Sequence, residues 1–121
     1  MLENMGFRVI GEVPYDVWPA GLEEPVWIHD FEMHTEDGTA IDLGAVKETF
    51  HDAFRHIWQG EMENDGFNKL VVRAGLTSRQ VIILRGYCKY LLQARIPFSQ
   101  AYMEATLKNN PAITQIGRAH V

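Results

Sequence analysis

Histidines, clustered carboxylates and lysines are the groups in this chain whose types could do chemistry. His29 sits between Trp27 and Phe31 in an alternating run, which suits a hydrogen-bonded structural imidazole better than a ligand. His51 and His56 are five residues apart, not the four that set two imidazoles on one helix face for a metal, and His34 lies near a loop. Glu61, Glu63 and Asp65 alternate, but no distal glutamate follows at calcium-loop spacing. They read as a solvated helix start, where negative charge also suits the helix dipole. Lys47, Lys69, Lys89 and Lys108 all fall in helical patterns, without a neighbour in sequence that would depress a lysine pKa. The sequence contains no Gly-x-Gly dinucleotide fingerprint, no phosphate loop and no nucleophile elbow. No catalytic, cofactor-binding or metal-ligating residue is assigned from the residues themselves.

The elements that would position these groups are punctuated clearly. Met1 to Met5 reads as the end of a helix closed by Gly6. A strand follows from Phe7 to Val13, with Phe7, Val9 and Val13 on one face and Arg8 and Glu12 on the other. Pro14 weakens it or places it at an edge. A loop rich in Pro, Gly and Glu leads to a second strand, Val26 to Met33. A connection this short favours an antiparallel pair. Asp42 caps a helix to Trp58 whose apolar face holds Leu43, Val46, Phe50, Phe54, Ile57 and Trp58. A helix is expected over 65–74, with Phe67, Leu70 and Val71 on one face and Gly75 just past its end. Thr77 and Gln80 form a capping box for the next helix. There Val81, Leu84, Cys88 and Leu91 make an apolar stripe flanked by Tyr87 and Leu92, with Arg79, Arg85 and Lys89 mostly off it. Pro97 ends that run. Ser99 caps a last helix to Lys108, with Ala101, Tyr102, Ala105 and Leu107 as apolar positions, and Asn109-Asn110-Pro111 stops it.

The order is helix end, strand, strand, helix, then helices only. The expected class is α+β: a partial ACT-like unit of the βαββαβ kind over 1–60, with an antiparallel strand pair, followed by an all-helical segment over 61–115. The first strand of that unit would lie upstream of Met1, so the chain reads as truncated at both ends. The final IGRAHV, residues 116–121, reads as a translated sequencing adapter and is set aside from fold reasoning.

The formal net charge is −5, and −6 without Arg118. That argues against a nucleic-acid footprint, which needs concentrated Lys and Arg. One cysteine, Cys88, cannot form an internal disulfide, which suits a reducing compartment. No apolar run reaches the roughly 18 residues of a membrane span, and no secretory signal is visible. The expected location is cytoplasmic.

Several blocks together carry a resemblance. They are Leu2 to Ile10 (LENMGFRVI), Val26 to Phe31 (VWIHDF) and Glu63 to Asn68 (ENDGFN), then Ala74-Gly75-Leu76 with Arg79, Leu84-Arg85 with Tyr87, Tyr90-Leu91, and Pro97 to Tyr102 (PFSQAY). In this order and at this spacing the chain resembles the large bacterial NAD-specific glutamate dehydrogenases, almost from Leu2 to Pro111. Where that family usually has tryptophan before the arginine, this chain has Ser78. The resemblance implies a parent oxidoreductase, a large homo-oligomer that deaminates L-glutamate to 2-oxoglutarate and ammonia while reducing NAD. It implies that this stretch covers the end of the last ACT-like module and the helices leading toward the catalytic domain of the same chain. The catalytic lysine and aspartate and the NAD-binding domain match nothing here, so NAD belongs to the parent and not to this stretch. The implied role is regulatory, oligomerising and linking, with an amino-acid effector as a partner. Two other readings stand beside it. Leu76 to Val81 with Leu84-Arg85 suits the start of a helix-turn-helix DNA-binding domain, though Gln100, Glu104 and Lys108 make a poor recognition helix. A free-standing ACT-like amino-acid sensor is the other.

Overall fold

The computed structural model describes the backbone of residues 1–118 and the side chains of residues 1–115. Two long strands, β1 (Phe7–Val17) and β2 (Val26–Thr35), form an antiparallel ribbon. Five helices follow: α1 (Leu43–Trp58), α2 (Lys69–Arg73), α3 (Ser78–Gln93), α4 (Gln100–Asn109) and α5 (Pro111–Arg118). The fold is α+β. The rest of the 116–121 tail lies outside the described residues.

β1 runs on through Pro14 to Val17, and Pro14 lies on an edge strand as expected, since both strands of a two-stranded sheet are edges. The ribbon departs from the expected pattern at a bulge. Val9 pairs with Met33, but Gly11 already pairs with Glu32, leaving Ile10 as an extra residue. One extra residue exchanges the two faces beyond it. Val13 therefore shares a face with Arg8, not with Phe7 and Val9, and Glu12 crosses to the Phe7 side.

α1 packs on that Phe7 side. Phe7 meets Phe50 edge to face, with ring centroids 5.3 Å apart. Asp42 caps α1, its Oδ1 accepting from the Gly44 and Ala45 amides. Farther along, Ala53 and Ile57 turn to the helical half, while Leu43 and Trp58 at its two ends are exposed.

The core lies among the helices. Met5, Phe67, Leu70, Val71, Leu76 and Val81 are fully buried together. The expected 65–74 helix is split into a 3-10 turn at Gly66–Asn68 and the short α2, with Gly75 at φ +60° closing it. Asp65 caps the start of the 3-10 turn, its carboxylate accepting from the Phe67 amide. Residues 3–5 likewise form a 3-10 turn rather than an α-helix end, with Gly6 left-handed as expected.

The capping box at α3 is present as read. Its buried face is as read in part: Val81 and Cys88 are buried and Leu84 and Leu92 pack against the core, but Ser78 and Arg85 also point inward, and Tyr87 and Leu91 are exposed. Arg85 follows Val81 by four residues and precedes Cys88 by three, so helical geometry places it on the buried stripe. Arg95, at φ +61°, ends α3 before Pro97 is reached. In α4 only Met103 is buried and Tyr102 is exposed, stacked on Phe98. α4 stops at Asn109, as read, and Pro111 begins a new helix, α5, because a first-turn proline needs no amide partner.

Candidate functional site

Three clusters gather the groups that chemistry would need. The first is a buried clamp. Arg85 is 4% exposed and grips Asp65 with two parallel bonds, Nε to Oδ2 at 2.7 Å and Nη2 to Oδ1 at 2.8 Å. Nη2 also donates to Asn68 Oδ1 at 2.7 Å and to the Glu63 carbonyl, and the guanidinium lies over the Phe67 ring. The Asn68 amide donates back to the Glu63 carbonyl at 2.8 Å. The Nε and Nη2 of Arg85, both Asp65 oxygens and the Asn68 amide are engaged by other protein groups. The clamp holds the 63–68 turn against α3 and leaves no open position for a substrate.

The second cluster joins α1 to α3. Ser78 Oγ donates to Asp52 Oδ2 at 2.5 Å, and His56 Nδ1 donates to the Asp52 carbonyl at 2.8 Å. The serine, histidine and aspartate types suggest nucleophilic catalysis, but the connections do not. That chemistry needs an imidazole nitrogen on the hydroxyl. Here Ser78 gives its proton to a carboxylate, and His56 turns its other nitrogen toward Glu61, 3.6 Å away. The Ser78 hydroxyl, with Arg55 behind it, holds the Asp52 carboxyl below the usual range.

The third cluster is charged. Glu36 and Asp37, in the turn after β2, meet Lys69, Lys108 and Arg73 from α2 and α4. Beside it an open groove of about 820 Å³ runs between the ribbon and α1, lined by Phe7, Phe31, Met33, Phe50 and Lys47 among others.

The candidates weighed from sequence are dispersed. His29 pairs with Glu12 at 2.6 Å and stacks on Phe31. Glu61, Glu63 and Asp65 face three different partners, His56, Lys89 and Arg85. Among the described residues no group of three or more His, Cys, Asp or Glu could hold a metal ion. Burial, with Glu104 nearby, pushes the Cys88 thiol up, away from its reactive form. The caps Asp42, Thr77 and Ser99 each take one or two of the first amides of α1, α3 and α4. Among the described residues no helix is long and apolar enough to cross a membrane.

Two family models match the chain. Glutamate dehydrogenase, ACT3 domain, covers residues 1–46, and glutamate dehydrogenase, helical motif 3, covers residues 62–116. The NAD-specific glutamate dehydrogenase of Halomonas elongata is 43% identical over 115 residues, 95% of this chain. Those of Mycobacterium tuberculosis and Pseudomonas aeruginosa are 44% and 42% identical over 118 residues each, covering 93% and 98% of this chain. The chain belongs to the NAD-specific glutamate dehydrogenases. It spans about 7% of the length of these curated relatives. Within this glutamate dehydrogenase segment, the clamp falls inside the helical-motif match, while the charged cluster joins residues of both matches. Sequence reasoning missed the Arg85 clamp, although its helical position signalled it. It also missed the Ser78–Asp52 bond, which no local pattern announces.

Proposed function

We propose that this chain is a non-catalytic segment of a cytoplasmic NAD-dependent glutamate dehydrogenase, which converts L-glutamate, NAD and water to 2-oxoglutarate, ammonia and NADH. Its work is assembly and linkage. The observation that carries this reading is the outer face of the ribbon. Beyond the bulge, Val13, Tyr15 and Val17 on β1 stand opposite Asp30, Ile28 and Val26 on β2, on the face turned away from α1. Each of the five apolar residues is between 40% and 53% exposed. A two-stranded ribbon is marginal by itself, and a contiguous apolar face of this kind marks a contact surface. The buried clamp and capped helices supply a stiff base for it. This arrangement supports subunit contact through the ribbon, with the helices relaying its position toward the catalytic domain.

The non-catalytic part of the reading is tested by incubating the purified chain with L-glutamate and NAD and following NADH absorbance. The expected rate equals that of buffer. Sustained glutamate-dependent NADH formation would overturn it.

A further inference from the structure

We propose that the turn after β2, Glu36 to Thr39, is an ion-pair latch that makes the ribbon and the α2–α4 layer move as one body. The proposal rests on the linking role above and names the device that performs it. Among the described residues, every ion pair between residues 1–46 and residues 62–116 passes through Glu36 or Asp37. Lys69 Nζ sits 2.8 Å from Glu36 Oε2, and Lys108 Nζ approaches the same oxygen at 3.7 Å. Arg73 Nη1 donates to Asp37 Oδ2 at 2.8 Å and to Thr39 Oγ1 at 3.0 Å. Arg73 Nε is buried beside them without a hydrogen-bond partner. The Asp37 and Thr39 bonds hold the guanidinium on the turn despite that cost.

The turn itself is stapled into one shape. The Thr35 hydroxyl donates to the Thr39 carbonyl at 2.8 Å, and the Thr39 amide to Asp37 Oδ1 at 3.1 Å. Gly38 takes φ +71°, which a side chain would resist. The Glu36 amide donates to the Gly6 carbonyl at 2.9 Å, tying the roots of both strands together. The β1 root is anchored separately, because Met5 is in the core and Asn4 bonds Asn64. The latch adds the side-chain tie that joins the β2 root directly to α2 and α4. Thr35, Gly38 and Thr39 also form one wall of the open groove, so a change in the groove meets the latch directly.

The test is hydrogen exchange along the full chain, comparing wild type with Glu36→Gln/Asp37→Asn. Exposed ion pairs are individually weak, so the combined loss should speed exchange over residues 30–40 about five- to tenfold, with α3 unchanged. Asp37→Lys should do the same, and adding Arg73→Glu should restore most of the protection. Unchanged exchange at 30–40 would overturn the latch but leave the ribbon-contact reading standing, since that rests on a different surface. Equal acceleration in α3 would also overturn it, because the pairs would then support the whole fold rather than one joint.

Discussion

Replacing Arg85 with methionine is the sharpest perturbation of the helical half. The side chain is almost fully buried, and its removal strands the Asp65 carboxylate at 16% exposure with Asn68 Oδ1 beside it. Breaking one side of a buried pair costs about 3–5 kcal/mol, mostly because a charge is left unpaired in a poor solvent. Asp65 keeps the Phe67 amide and some water, which places the expected loss near the lower end, about 3 kcal/mol. Methionine fills the stem volume, so little of this comes from a cavity. Arg85→Lys keeps the charge but loses the parallel fork and should cost about 1–2 kcal/mol. Urea titration of Arg85→Met, Asp65→Asn and the double variant measures the coupling directly, and it should exceed about 2 kcal/mol. A loss below about 1 kcal/mol for Arg85→Met, or additive singles, would refute the view that this clamp locks the 63–68 turn to α3.

Two further outcomes follow from the same geometry. Lys69 holds the Glu36 carboxyl low, hydrogen bonds from Thr39 and then Arg73 do so for Asp37, and Ser78 for Asp52. Folded-state values below the unfolded ones stabilise the fold above the ordinary carboxylate range. That contribution is lost as pH falls through it, so the urea midpoint should drop between about pH 5 and pH 3 and drop less in Glu36→Gln. Thr77→Ala removes the capping hydroxyl of α3 and should lower stability by about 1 kcal/mol in thermal unfolding, whereas a change within error would mean that the Gln80 side chain satisfies that helix start unaided.

What could be read in advance divides along the range of the forces involved. Caps are local, and Asp42, Thr77 and Ser99 each sit where their side chains signalled. Gly6 and Gly75 close their elements for the same local reason. The bulge at Ile10 was hidden, because it is set by pairing across the ribbon and not by β1. Arg85 was placed outside by its charge, although its position in the helical repeat put it inside. Its burial depends on Asp65, twenty residues earlier, which no periodicity describes. No local pattern marks Glu36 and Asp37, whose partners lie more than thirty residues away. The family was legible because its blocks are distinctive. The absence of an assigned active site left the charged cluster and the ribbon face to be found by packing.

Sedimentation velocity of the chain over a range of concentrations, beside Val13→Lys/Ile28→Lys, addresses the central claim most directly. Both positions lie on the outer ribbon face, away from α1 and the core, so the variant should keep its fold by circular dichroism. The account predicts concentration-dependent self-association of the wild-type chain and a monomer for the variant. A wild-type monomer at every concentration, or association undiminished by two charges on that face, would contradict it.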